Sequence, residues 1–426
     1  MLSEWKYCGP LIHGPQTPGV FCVQPSGPVE IAPGRWLCLY SMVDGRGHDA
    51  NCGVFAQLRA DAPDGPVLKA RVLVPGGDGT NYFPLEDGEE YFRCAGQAHL
   101  FGSQKTGVFA VTYYQHAQKW VNGVLQNPGS YFWRKQHGSM LMSRTLRLCM
   151  LQLEYDAPAD DWKIVEEPHL LTQAGWEDSP DAFCEFGPGF SLNHALEPPV
   201  PLDDDGTEFL EYLTITAYDD PYAISGHGTI VPVRYKFDPA TRRYRWVQTG
   251  KRWRDGNDTL GEASIVRMPD GSGDFLISVR QFLGGGDIIL ARVSDPFKTG
   301  ISKVYRYKGS SAPRTLGVRS DGLMRLFIND SDRSPYHHER NPVYEFQIYP
   351  DLRLGEPQII ADAVQYALPW PEPFLDMGRY LEYAPGKEML SFRAFDRVQV
   401  VGNEGTEPLS AEAAELSGVH YLKADF

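Results

Sequence analysis

The chain has 426 residues and a formal charge of −15, from 55 acidic against 40 lysine and arginine side chains. That balance excludes a general duplex-nucleic-acid binder, whose phosphates need a basic face, and still leaves room for a local arginine cluster facing an anion. With 12% aromatic residues, 43 Gly and 33 Pro spread without any low-complexity tract, the composition fits short strands with frequent turns and excludes disorder.

The start, MLSEWKYCGP, has neither a basic n-region nor an apolar h-region, and no apolar run reaches the length of a membrane span. The expectation is a cytoplasmic protein without membrane contact. Its seven cysteines (8, 22, 38, 52, 94, 149 and 184) are odd in number, all in the first half and never in a CxxC pair. This reads as free thiols in a reducing compartment. No motif calls for a cofactor, and no Cys/His spacing calls for zinc. The acidic run Asp203-Asp204-Asp205 is the one weak calcium signal.

A hairpin signature recurs along the chain. It occurs at 25–41 (PSGPVEIAPGRWLCLYS), 96–114, 191–216, 261–281 (GEASIVRMPDGSGDFLISVRQ), 312–329 and 378–393 (GRYLEYAPGKEMLSFR). Each unit has a small or polar start, an alternating strand, a Gly-containing turn and a second strand rich in Leu, Phe, Ile or Val. Further strand-like runs follow the hairpins at 54–61, 139–156, 232–248, 288–295 and 342–351. Six units of this kind predict an all-β, six-bladed β-propeller: one domain over 1–426, closed by the first 20 residues and the segment after Arg393. Two separate β-sandwiches are the alternative architecture.

In a propeller the first strand of each blade lines the axis, and its start faces one mouth. The hairpin at 261–281 then places Glu262 at the start of one strand and Arg280 at the end of its antiparallel partner, together at one sheet edge. Such a pair is either a site or a surface ion pair.

At these residues the chain resembles the sialidase (neuraminidase) superfamily, in its divergent bacterial BNR-repeat branch. Glu262 and Ser264, then Pro269-Asp270-Gly271, then Arg280 follow the family's pattern, as do Arg340 in HHERNPVYEF and Tyr380 in GRYLEYAPGK. The resemblance implies a Tyr nucleophile (Tyr380) activated by a Glu base (Glu262), an exception among glycosidases suited to a carboxylated sugar that would repel an acidic nucleophile. It implies Arg280 and Arg340 as the clamp on an anionic group, and an acid from the loop VDGRGHDAN: Asp49, with Asp44 second. The family's first-strand arginine is missing, and Gln24 stands near its place in Phe21-Cys22-Val23-Gln24-Pro25. The Asp-box repeat survives only as remnants at 59–65 and 294–300.

The expected function is an exo-acting glycoside hydrolase on a terminal, acidic sugar, with carbohydrate as its partner and an undetermined oligomeric state. Two alternatives stay open. His48, His99, His116, His194 and His227 fall at strand ends, as in propeller-shaped polysaccharide lyases, where His99 or His194 would be the base and Tyr380 or Tyr114 the acid. A non-catalytic glycan binder would instead use Trp36, Trp133, Trp176 and Trp370 to stack on sugars.

Overall fold

The computed structural model describes residues 2–12, 20–44, 51–78, 91–121, 124–126, 147–171, 190–193, 197–217, 227–253, 260–281, 286–298, 300–309, 312–396 and 416–426. They form six antiparallel sheets arranged as the blades of a propeller. Blade 1 is built from Val20–Pro25, Arg35–Asp44, Asn51–Ala60 and Val67–Pro75, with Val29–Ala32 beside its second strand. Blade 2 contains Tyr91–Ser103, Val108–Val121, Arg147–Asp156 and Asp161–Leu170. Blade 3 contains Phe190–Asn193, Glu208–Ala217, His227–Asp238 and Arg243–Thr249. Blade 4 runs Leu260–Arg267, Phe275–Gln281, Ile288–Asp295 and Gly300–Tyr307. Blade 5 runs Arg314–Val318, Met324–Asn329, Val343–Ile348 and Gln358–Ala361.

Blade 6 joins the two ends of the chain. Pro373–Ala384, Lys387–Asp396 and Gly418–Asp425 are followed by the N-terminal strand Lys6–Ile12, which pairs antiparallel with Gly418–Asp425 as the outer strand. Pairing first and last segments in one sheet makes the ring continuous and leaves no gap between blade 6 and blade 1.

The inner strands of the sheets are buried on both faces and read as near-continuous apolar runs, as in Phe275–Gln281 and Met324–Asn329. In Arg35–Asp44 the pleat divides the residues between two interfaces. Leu37 and Leu39 pack toward blade 2 with Leu100 and Val111, while Cys38, Tyr40 and Met42 pack toward blade 6 with Ile12 and Val419. Similar apolar clusters fill the other interfaces, and each fully buried leucine contributes about 1.5–3 kcal/mol.

A repeated irregularity shapes the ring's inner wall. The first strands of blades 1, 2, 4 and 6 are bulged, and the bulge holds a non-glycine residue in the left-handed region: Gln24 (φ 51°), Gln97 (45°), Glu262 (50°) and Met377 (54°). Such a residue costs about 1–3 kcal/mol locally. The bulge takes its N–H out of the ladder, and in two blades a hydroxyl from the preceding blade receives it. The Gln97 N–H donates to Ser41 Oγ at 2.6 Å, and the Glu262 N–H donates to Thr214 Oγ1 at 2.8 Å. Ser264 Oγ accepts from the Leu316 N–H at 2.9 Å, and Thr315 Oγ1 donates to the Gly378 carbonyl at 2.7 Å. These bonds lock blade to blade and set the direction of whatever side chain the bulge carries.

Candidate functional site

Glu262 occupies the blade 4 bulge. Arg280 lies opposite Gly261, one residue before the end of the neighbouring strand. The register brings the two side chains together, with Arg280 Nη1 donating to Glu262 Oε2 at 2.5 Å, and both remain partly open at 17% and 16% exposure.

Blades 5 and 6 complete the cluster. Arg340 sits between the second and third strands of blade 5, and its carbonyl accepts from the Leu375 N–H at 3.0 Å, which ties it to the first strand of blade 6. Its guanidinium lies over Phe374, 3.7 Å from Asp376 Oδ2 through Nη1 and 3.3 Å from Glu339 Oε1 through Nη2. Asp376 is fully buried and receives a two-pronged grip from Arg393, Nε to Oδ1 at 2.7 Å and Nη2 to Oδ2 at 2.9 Å. Behind Arg280 lies Arg314, buried and donating to the carbonyls of Val279 and, at 2.7 Å, Asp287.

The electrostatics are lopsided. Burial would raise the Asp376 carboxyl, but Arg393, with Arg340 and Arg280 behind it, overrides this and holds it below the ordinary carboxylate range. Burial pulls the Arg340 guanidinium down, and Arg280 and Arg393 press in the same direction against the help of Asp376 and Glu339. Arg314 is pressed down too, first by burial and then by Arg280. The inner part of the cluster holds Arg280, Arg314, Arg340 and Arg393 against Glu262 and Asp376. Two further carboxylates at its edge, Glu339 and Asp287, are 49% and 36% exposed and screened by solvent. Two nitrogens of Arg340, Nε and Nη1, are buried without any hydrogen-bond partner. Buried guanidinium donors left in this state are costly, and an anionic or hydroxyl-bearing ligand would satisfy them.

Of the residues singled out from sequence, Glu262, Arg280 and Arg340 therefore converge. Gln24 takes the bulge of blade 1, the position that Glu262 takes in blade 4, and its Oε1 is buried without a hydrogen-bond partner. Tyr380 does not join them. It lies four residues beyond Asp376 on a strand running away from this mouth, opposite Leu390, and its ring faces blade 5. There it stacks on Phe327 at 5.8 Å, fills the space left by the missing side chain of Gly317, and donates to Glu388 Oε2 at 3.0 Å. Burial raises the phenol's pKa, and the Glu388 carboxylate raises it further, the reverse of an activated nucleophile.

His99 is also placed elsewhere. It is buried between blades 2 and 3 with Nδ1 3.0 Å from Glu211 Oε1, and Tyr235 donates to the other oxygen of Glu211 at 2.8 Å. A propeller strand has a face toward each neighbouring blade as well as an edge toward the axis, and strand position alone does not say which one a side chain takes. Tyr114 packs in the same interface, and Trp36 and Trp370 are buried, so these tryptophans offer no sugar platform. Asp49, His194, His48, Trp133 and Trp176 lie outside the described residues, and Asp44 ends the second strand of blade 1.

Asp376 and Arg393 were missed because the last hairpin was read as starting at Gly378. The signal was present: an acid at the first strand's bulge or directly before it, and an arginine on the next strand, 18 residues apart in blade 4 (262 to 280) and 17 in blade 6 (376 to 393).

These placements predict that Tyr380→Phe keeps the fold and keeps turnover, losing about 1–2 kcal/mol for the single hydrogen bond to Glu388. Urea unfolding and steady-state rates on one preparation check this, and a large fall in turnover would restore Tyr380 to the chemistry.

No family model and no curated sequence matches the chain. Solved structures do match. A protein of unknown function from Dyadobacter fermentans superposes with a TM-score of 0.58 at 10% identity, covering 99% of each chain. The leech intramolecular trans-sialidase, solved with 2,7-anhydro-Neu5Ac, gives 0.56 at 11% identity over 97% of this chain and 71% of its own. An α-L-arabinanase from Penicillium chrysogenum, solved with arabinobiose, gives 0.50 at 9% identity over 99% and 98%. At such identities the finding is a shared propeller fold and nothing beyond it.

Proposed function

We propose that the protein is a glycoside hydrolase that removes a terminal, negatively charged sugar at the mouth formed by Glu262, Arg280, Arg340, Asp376 and Arg393. The observation that carries this reading is Arg340, buried with two donors unpartnered inside a cluster richer in guanidinium than in carboxylate. The carbohydrate ligands in the trans-sialidase and arabinanase structures support a sugar as the occupant.

The roles follow from exposure and pairing. Glu262 is the partly open carboxylate of the inner cluster and serves as proton donor and acceptor at the glycosidic oxygen or the attacking group. Asp376, sealed under Arg393, is a positioning residue that aims Arg393 and Arg340. Arg340 and Arg280 hold the anion. The lyase alternative needs a histidine base at the axis, and the described candidate, His99, is committed to Glu211.

Arg340→Met is the direct test. Removing charge-assisted hydrogen bonds worth about 1.5–3 kcal/mol should raise KM for an acidic aryl glycoside roughly 10- to 100-fold and leave a neutral one unchanged. A panel of 4-nitrophenyl sialoside, glucuronide, galactoside and arabinofuranoside measures it, with ultraviolet absorbance of an unsaturated uronate recorded alongside. Cleavage of neutral sugars alone, or an unsaturated product, would sink the proposal.

A further inference from the structure

The far ends of the first strands, away from Glu262, hold a feature that the proposed hydrolase does not use. Where the first strands end, a cavity of about 770 Å³ opens between blades 1, 2, 3, 4, 5 and 6. Its volume lies in the range of small-ligand pockets. Leu100, Ile265, Leu316 and Val318 supply apolar wall, and Phe101 and Tyr380 add ring surface.

Two charged groups of its lining are buried, Glu197 at the approach to blade 3 and Arg379 on the first strand of blade 6. They are only 8% and 5% exposed. Arg379 Nη1 is 3.7 Å from Glu197 Oε1, beyond hydrogen-bond range, and is spent on the Gly378 carbonyl at 2.7 Å. Glu197 Oε1 and Arg379 Nε are each buried with no hydrogen-bond partner. An acceptor and a donor, side by side, both desolvated and both unsatisfied, are what a bound polar group would complete. Most other charged groups of the lining are already engaged: Asp203 with Thr207, Asp205 with Lys105, Glu382 with Ser320, and Arg267 with the carbonyls of Pro201 and Leu202.

We infer that this cavity is a second carbohydrate site, separate from the mouth at Glu262, and that it takes a neutral sugar. A hydroxyl donates to Glu197 Oε1 and accepts from Arg379 Nε, as no simple ion can. An anion would meet Glu197 and a rim carrying Asp203, Asp204, Asp205 and Glu382. An ammonium would meet Arg379 at the same depth. The apolar wall suits the C–H faces of a pyranose or furanose ring. The acidic sugar proposed for the Glu262 mouth is therefore rejected here, so the two sites differ in the charge they accept.

Ligand-observed NMR with D-galactose, L-arabinose, D-glucuronate and putrescine as probes tests this. Saturable binding of a neutral sugar is expected, weakened at least tenfold in Glu197→Gln and abolished in Val318→Trp, whose indole fills the cavity from a half-buried wall position. Glu262 lies outside this lining, though its charge reaches Arg379, and Glu262→Gln should keep saturable binding of that sugar while hydrolysis falls, which separates the two sites. Unfolding midpoints confirm that the variants are folded. Absence of neutral-sugar binding, binding of D-glucuronate or putrescine that Val318→Trp abolishes, or an unaltered neutral-sugar signal in folded Val318→Trp would overturn the inference.

Discussion

Glu262→Gln should lower kcat by about 10²- to 10⁴-fold, the usual contribution of a positioned proton donor and acceptor, with little change in stability. Two features make the variant a clean probe. Gln keeps the shape of Glu, so an amide oxygen can still accept from Arg280 Nη1 where the carboxylate does now at 2.5 Å. The left-handed backbone at this position is also compatible with Gln, because Gln24 and Gln97 occupy the matching bulges of blades 1 and 2 at φ 51° and 45°. What is lost is the charge and the ability to carry a proton. The measurement is kcat and KM on whichever glycoside the wild type cleaves, beside a thermal midpoint. A folded variant with undiminished kcat would remove Glu262 from the chemistry and leave the arginine cluster as a binding site only.

Arg325→Met is the second variant with a large expected effect, and it acts on stability. Arg325 is fully buried between blades 5 and 6. Its Nη1 reaches Glu345 Oε1 at 2.9 Å and Glu388 Oε1 at 3.2 Å, and its Nη2 reaches Glu388 Oε2 at 2.5 Å. Trp5 and Gln358 also donate to Glu345, at 3.0 and 2.7 Å, so the group ties the N-terminal segment to blade 5 near the ring closure. Methionine fills much of the volume and leaves two buried carboxylates without their cation, a change that costs about 3–5 kcal/mol.

The deficit should depend on pH with a definite sign. In the parent protein burial already raises the Glu345 carboxyl, against the opposing pull of Arg325. Without Arg325 the pull that holds Glu345 down is gone, and burial moves that carboxyl further up in the folded state. A carboxyl whose folded pKa exceeds its unfolded one contributes stability below the unfolded value and loses it as pH rises through the folded value. The variant's deficit is therefore smallest near about pH 4 and grows toward about pH 7.5. Urea unfolding of both proteins at those pH values measures it. A constant deficit would mean that lost packing outweighs the uncompensated charges.

Some of the site was legible from local pattern and some was not. The pairing of Glu262 with Arg280 follows from strand period and a Pro-Asp-Gly turn, both written within 21 consecutive residues, 261 to 281. Tyr380 was misplaced for a reason that the same logic explains. Its strand starts at Pro373, five residues before the Gly378 from which the hairpin had been read, so the residue at the mouth is Asp376 and Tyr380 lies a turn of the pleat too deep. The bulge at Met377–Gly378 then shifts the register once more. His99 shows the second kind of error. It sits two residues past a bulge, and its neighbour across the interface, Glu211, comes from another blade 112 positions away.

Composition and periodicity by themselves determined that the chain is all-β, that it repeats a hairpin six times, and that blade 4 carries an acid facing a guanidinium. Those properties are local, because strand alternation and turn chemistry act over a few residues. Closure was the business of the tertiary structure: Lys6–Ile12 beside Gly418–Asp425, Arg340 brought against Asp376, Arg379 against Glu197. Those meetings depend on bulges and on the rotation from blade to blade, which decide whether a side chain faces the axis or a neighbouring sheet.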